Sequence, residues 1–166
     1  MKYVILVFVF SLLTGCGIAK ESPDLTGYVM DRQDNNFLVV SDTPIDYSET
    51  GGVSEFYNAV WVSGSEAEVP EGEKVQVWFY EGIAESYPGH GKAKEINIVP
   101  STMPEGADLT EAEALGLALE SSHTSSFSMY AVQSITYEAK QDQWNISFIE
   151  TMTRKEYEIM IDDHLS

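Results

Sequence analysis

Short apolar runs with period two recur from residue 27 almost to the C-terminus, each closed by turn formers, and this alternation constrains the fold more than any other feature. Successive side chains of a strand point to opposite faces, so such runs describe strands with one buried face. Tyr28-Val29-Met30 and Phe37-Leu38-Val39-Val40 flank the turn Asp34-Asn35-Asn36, which is a hairpin pattern. Asp42 to Gly52 reads as an exposed acidic loop, and Phe56 to Val62 as a further strand. After the Gly64 to Gly72 connection, Val75-Gln76-Val77-Trp78-Phe79-Tyr80 has the β-branched and aromatic content of a strand. Ile83 to Gly91 reads as a bend outside regular structure, and Lys94 to Val99 alternates again with Ile96 and Ile98 on one face.

Five short strands without an intervening helix predict a small closed or half-closed barrel, of the OB type, over residues 26–100. Pro100 to Pro104 punctuates the chain, and the character then changes. Thr110 is placed to cap a helix, with Glu113 closing a capping box, and Leu115, Ala118 and Leu119 form its buried stripe. The helix should fade at Ser121-Ser122-His123. Tyr130 to Glu138, Trp144 to Glu150 and Tyr157 to Asp162 follow as three strands, whose apolar face the helix would cover. The expected fold class is α+β: an N-terminal OB-like β-barrel, then a helix packed on an antiparallel sheet over residues 101–166.

The N-terminus carries one cation, Lys2, then the apolar run Tyr3 to Leu13, then Leu13-Thr14-Gly15-Cys16. A run of this length falls short of the roughly 20 apolar residues that cross a bilayer and has the layout of a cleavable signal peptide, residues 1–15. The tetrad resembles the lipobox of bacterial lipoproteins. That resemblance implies a diacylglyceryl group on the Cys16 thiol and cleavage that makes Cys16 the first mature residue. Two chains are needed because burial gives about 0.8 kcal/mol per methylene, so a single chain holds only marginally. Membrane anchoring through Cys16, on the extracytoplasmic face, is the expected localisation. Residues 16–25, polar and aperiodic with Ser22-Pro23, read as a tether.

Cys16 is the sole cysteine, so the exported part has no internal disulfide. With 27 acidic and 9 basic residues, and Lys2 leaving with the signal, the mature part carries 27 against 8, a formal charge of −19. Nucleic acid is thereby excluded as an expected partner. Anionic head groups repel such a surface as well, so lipid and not a basic patch must anchor it. A protein or basic peptide fits the charge.

Chemistry has few footholds. Lipidation removes the only thiol. His90, His123 and His164 allow a Ser-His-Asp set arithmetically, but no Gly-x-Ser-x-Gly elbow is present. No His-Glu-x-x-His or cysteine pair offers a transition-metal site. Asp42, Asp46 and Glu49 in one loop, and Asp31, Asp34, Asn35 and Asn36 in another, offer the hard oxygens that calcium takes, without EF-hand spacing; solvated turns account for them more simply. Trp61, Trp78, Tyr80, Tyr87 and His90, with Tyr57, are the candidates for a ligand-binding groove, and core packing is the competing explanation. The expected function is a non-catalytic binding or protein-interaction module without a cofactor; the alternatives are a hydrolase using His90 or an acidic pair, and a cation-binding envelope protein.

Two resemblances bear on this. Gly27-Tyr28-Val29, Phe37 to Val40, Val75 to Phe79, Ile83, Ser86-Tyr87-Pro88-Gly89 and Ile96 resemble the YobA-like family of Gram-positive lipoproteins, a domain of unknown function that implies compartment but no mechanism. Leu109 to Asp162 is similar to a PepSY-like unit, with Glu113-Ala114-Leu115 and Tyr157 to Asp162 carrying the pattern. It departs where Asp163-His164-Leu165 replaces the glycine that usually follows the final Asp. That resemblance implies peptidase inhibition or protein binding outside the cytoplasm.

Overall fold

A computed structural model describes residues 21–65, 68–121 and 129–164. The signal segment, Cys16 and His123 lie outside these residues. Among the described residues no helix is long and apolar enough to cross a membrane.

Among the described residues, eight strands and one α-helix follow in the order β1 (Leu25–Gln33), β2 (Asn36–Ser41), β3 (Ala59–Ser63), β4 (Lys74–Phe79), β5 (Gly89–Ile98), α1 (Glu111–Ser121), β6 (Tyr130–Glu138), β7 (Gln143–Glu150) and β8 (Glu156–Asp162). The first five form a closed barrel in the order β1-β2-β3-β5-β4, and the last three an antiparallel sheet in the order β6-β7-β8. All barrel pairings are antiparallel except β3 with β5, where Val60, Trp61 and Val62 stand opposite Gly89, His90 and Gly91.

That parallel pairing corrects the reading of Ile83 to Gly91. The segment is a bend only as far as Pro88, and Gly89-His90-Gly91 opens β5. Glycine is a poor strand former, which hid the strand. Packing explains its use, because a Cβ at Gly91 would lie 2.6 Å from the Phe79 ring. At the other boundary, Phe56 makes only an isolated bridge with Ile45, and β3 begins at Ala59.

Alternation divides the barrel strands between two cores. Val29, Phe37, Val39, Val60, Val62, Val75 and Val77 fill the barrel, joined by Val69 from the β3–β4 connection. Their neighbours Met30, Leu38, Val40 and Ala59 point outward and are buried with Ala114, Leu115 and Ala118 of α1 and Trp144, Ile146 and Phe148 of β7 in a single cluster. The outer face of β2 and β3 is thus covered by the rest of the chain. At the helix start, Glu113 Oε2 accepts from Thr110 N at 2.8 Å and Glu113 N donates to Thr110 Oγ1 at 3.3 Å, the reciprocal pattern of a capping box.

Two side chains pin the segment before α1 to the sheet. Asp163, fully buried just past β8, accepts from Asp108 N at 2.6 Å, Leu109 N at 3.0 Å and Trp144 Nε1 at 2.8 Å. Burial pushes its carboxyl up, but these hydrogen bonds outweigh burial and hold it below the ordinary 3.8. The Tyr137 hydroxyl lies 2.7 Å from both Asp142 Oδ1 and Gly106 O, and its hydrogen bond to the Asp142 carboxylate pushes it up to about 12.

The N-terminal approach is fixed as well. Asp24 N donates to Val77 O at 2.9 Å, Phe79 N to Asp24 Oδ2 at 2.8 Å and Trp78 Nε1 to Glu21 O at 2.8 Å. The last residues of the expected tether therefore run along β4 and are part of the folded unit.

Candidate functional site: an apolar rim at one end of the barrel

Strand directions gather two connections at one barrel end. Gly27, near the start of β1, pairs with Ser41 at the end of β2, and Val60, near the start of β3, pairs with Gly89 at the start of β5. The β2–β3 connection (residues 42–58) and the β4–β5 connection (residues 80–88) consequently lie side by side.

The first of these is an ordered arm. Ile45 N and Phe56 N each donate to the other's carbonyl, at 2.8 and 2.9 Å, and Tyr47 N donates to Val53 O at 2.9 Å. A short 3₁₀ turn, Ser48–Thr50, forms its tip. Asp46 Oδ1 accepts from Ser48 N at 2.8 Å, and hydrogen bonding with Ser48 holds the Asp46 carboxyl below its ordinary value. Aromatic contacts join the connections: Tyr47 meets Phe56 edge to face with ring centroids 5.8 Å apart, and Phe56 meets Tyr87 at a tilt with centroids 5.4 Å apart. The Tyr87 hydroxyl, pushed up by burial, donates to Tyr57 O at 3.0 Å. Arg154 of the β7–β8 turn bonds the carboxylate and carbonyl of Glu55, so that turn docks onto the same arm.

Exposure is concentrated here. Of the ten exposed large apolar side chains among the described residues, Ile45, Tyr47, Val53, Tyr80 and Ile83 belong to these two connections, and Met152 lies in the turn that Arg154 ties to them. Six of the ten thus lie on three segments that the ring contacts and the Arg154 bonds tie together, whereas scattered single exposures carry no meaning.

Of the residues that the sequence grouped as a groove, Trp61 and Tyr87 both pack against the cluster that buries Tyr57, and His90 stands beside Trp61, whereas Trp78 lies apart. Tyr87 belongs to the aromatic contacts, and Tyr80 is 64% exposed at the rim with Lys92 Nζ 5.7 Å from its ring centroid. His90 is exposed on β5 and stands beside Trp61 on β3. Trp61 packs half-buried against the core cluster outside the barrel. Trp78 is buried beneath Glu21 and presents no face to a ligand.

The three suggested calcium ligands are also apart in role. Asp42 Oδ2 lies 2.6 Å from Lys74 Nζ, Asp46 accepts from the backbone N–H of Ser48 and Glu49 is exposed within the 3₁₀ turn. For Lys74, burial lowers the ammonium, yet the bond to Asp42 outweighs it and the net direction is up. Among the described residues no group of three or more His, Cys, Asp or Glu is placed to hold a metal ion. Sequence reasoning passed over Ile45, Val53 and Ile83 as contact residues; the signal was apolar residues, without a period to bury them, in the two connecting segments.

Residues 26–100 match the family model described as Protein of unknown function (DUF3221). The match covers the barrel and stops before α1, less than half of the chain. No curated protein matches the chain, and no solved structure does.

Proposed function

We propose that this chain is a lipid-anchored, extracytoplasmic, non-catalytic docking module whose contact surface is the apolar rim formed by the β2–β3 and β4–β5 connections. The single observation behind this reading is the concentration of exposed apolar side chains there, on an arm held by hydrogen bonds and aromatic ring contacts. Ordered apolar surface of this kind costs little to desolvate and little entropy to dock. The Leu-Thr-Gly-Cys tetrad supports the anchor, and the formal charge of −18 speaks against a nucleic-acid partner.

The strand order, with its one parallel closure between β3 and β5, supports an OB-type barrel, and the α1–β8 region fits the PepSY-like resemblance. OB barrels take ligands on the face of strands 2 and 3. Here Leu38, Val40 and Ala59 of that face are buried against the chain's own core, so docking moves to the barrel end.

A photo-crosslinking phenylalanine analogue at Tyr47 or Tyr80, in the full chain expressed in its own cells, should give adducts. The same analogue at Glu158, exposed on the outer face of the sheet, should give none. Equal labelling at rim and control positions, or no adduct from the rim, contradicts the proposal.

A further inference from the structure

We infer that the occupant of the rim is the head-group layer of the bilayer that holds the anchor. This rests on the docking reading above and commits it to one partner. The chain reaches β1 at the barrel end where the rim lies: Leu25 pairs with Val77, Asp24 is bonded to Val77 and Phe79 at the end of β4, and Glu21 lies against Trp78, two residues before Tyr80. Five residue steps separate Cys16 from Glu21. A chain spans at most about 3.6 Å per residue, so Glu21 is held within about 18 Å of the anchoring cysteine.

A tether entering elsewhere could let the rim face away from the membrane. One this short, entering at the rim end, turns that end toward it. Tyrosines are suited to the head-group level, where an apolar ring meets water at its hydroxyl, and Tyr47 and Tyr80 are both exposed here beside Ile45, Val53 and Ile83. Because the anchor already confines the domain, the rim needs only a modest affinity of its own, as in any intramolecular second contact. Asp46 and Glu49 on the arm, with Glu81 and Glu85 on the β4–β5 connection, put negative charge beside these side chains, so the contact stays shallow and prefers a zwitterionic surface.

The test is hydrogen exchange of the lipidated mature chain on phosphatidylcholine vesicles, compared with the Cys16→Ser chain free in the same buffer. Peptides covering residues 42–58 and 80–88 should exchange several-fold more slowly on vesicles, while β6–β8 peptides exchange alike in both. Equal rates for the rim peptides, with the protein demonstrably on the vesicles, overturn the inference. The crosslinking adducts separate the two failures: lipid adducts at Tyr47 or Tyr80 agree with the bilayer, protein adducts alone overturn the bilayer and keep the docking surface, and none of either kind overturns both.

Discussion

Asp163→Ala should lower the melting temperature by roughly 10 °C. The carboxylate is fully buried and is the acceptor for three N–H groups, two on the backbone before α1 and one on the Trp144 indole. A buried donor left without an acceptor costs about 1–3 kcal/mol, and partial rehydration of the three keeps the sum near 4 kcal/mol. For a chain of this size each kcal/mol moves the midpoint by about 2–4 °C. The charge has its own signature, because the folded pKa lies below the ordinary 3.8. A depressed carboxylate contributes stability that is complete above its unfolded value and is lost as pH falls through the folded one. The gap in melting temperature between the native chain and Asp163→Asn should therefore stay constant from neutral pH down to about pH 5 and close only below 3.8. A gap that persists unchanged at pH 3 would show that the charge contributes nothing there.

Gly72→Ala should be nearly as damaging, for a steric reason. Gly72 sits at φ +91°, and a Cβ there would lie 2.3 Å from Ala112 O and 2.7 Å from Gly116 N, both in the backbone of α1. Gly72 N is also bonded to Val29 O at 2.9 Å, which prevents the connection from sliding away. Neither backbone can yield cheaply, so strain of about 1–3 kcal/mol from the positive φ adds to a similar cost of overpacking. Gly51 provides the control, with φ +84° and nothing within 4 Å of its added Cβ. Thermal denaturation should show Gly51→Ala losing a few degrees and Gly72→Ala several times as much. Equal losses would mean that the approach of α1 to the barrel is not tight.

Where local pattern decides structure, the sequence was readable. Val75 and Val77 alternate with the more exposed Lys74 and Gln76 as a half-buried strand requires, and Thr110 with Glu113 forms the reciprocal cap that their spacing predicts. What escaped depends on distant partners. The start of β5 is glycine-rich because Phe79 crosses it, and its parallel mate β3 is far away in the chain. Asp163, an acid following a strand, has the sequence look of a solvated residue; its burial is set by Asp108 and Leu109, more than fifty positions earlier. Of the groove expected from Trp61, Trp78, Tyr80, Tyr87 and His90, Trp61 and Tyr87 share the outer core, whereas Trp78 turns toward the N-terminal segment. The rim gathers Ile45 and Tyr47 from the expected acidic loop with Tyr80 from an expected strand end and Ile83 from an expected bend, segments that only the barrel closure brings to one end.

The intact mass of the chain recovered from the cell envelope decides whether Cys16 holds it there. The expected species begins at Cys16 and carries a diacylglyceryl group on its sulfur. A chain that retains residues 1–15, or one whose Cys16 is a free thiol, would remove the anchor and with it the reason for the rim to face a membrane.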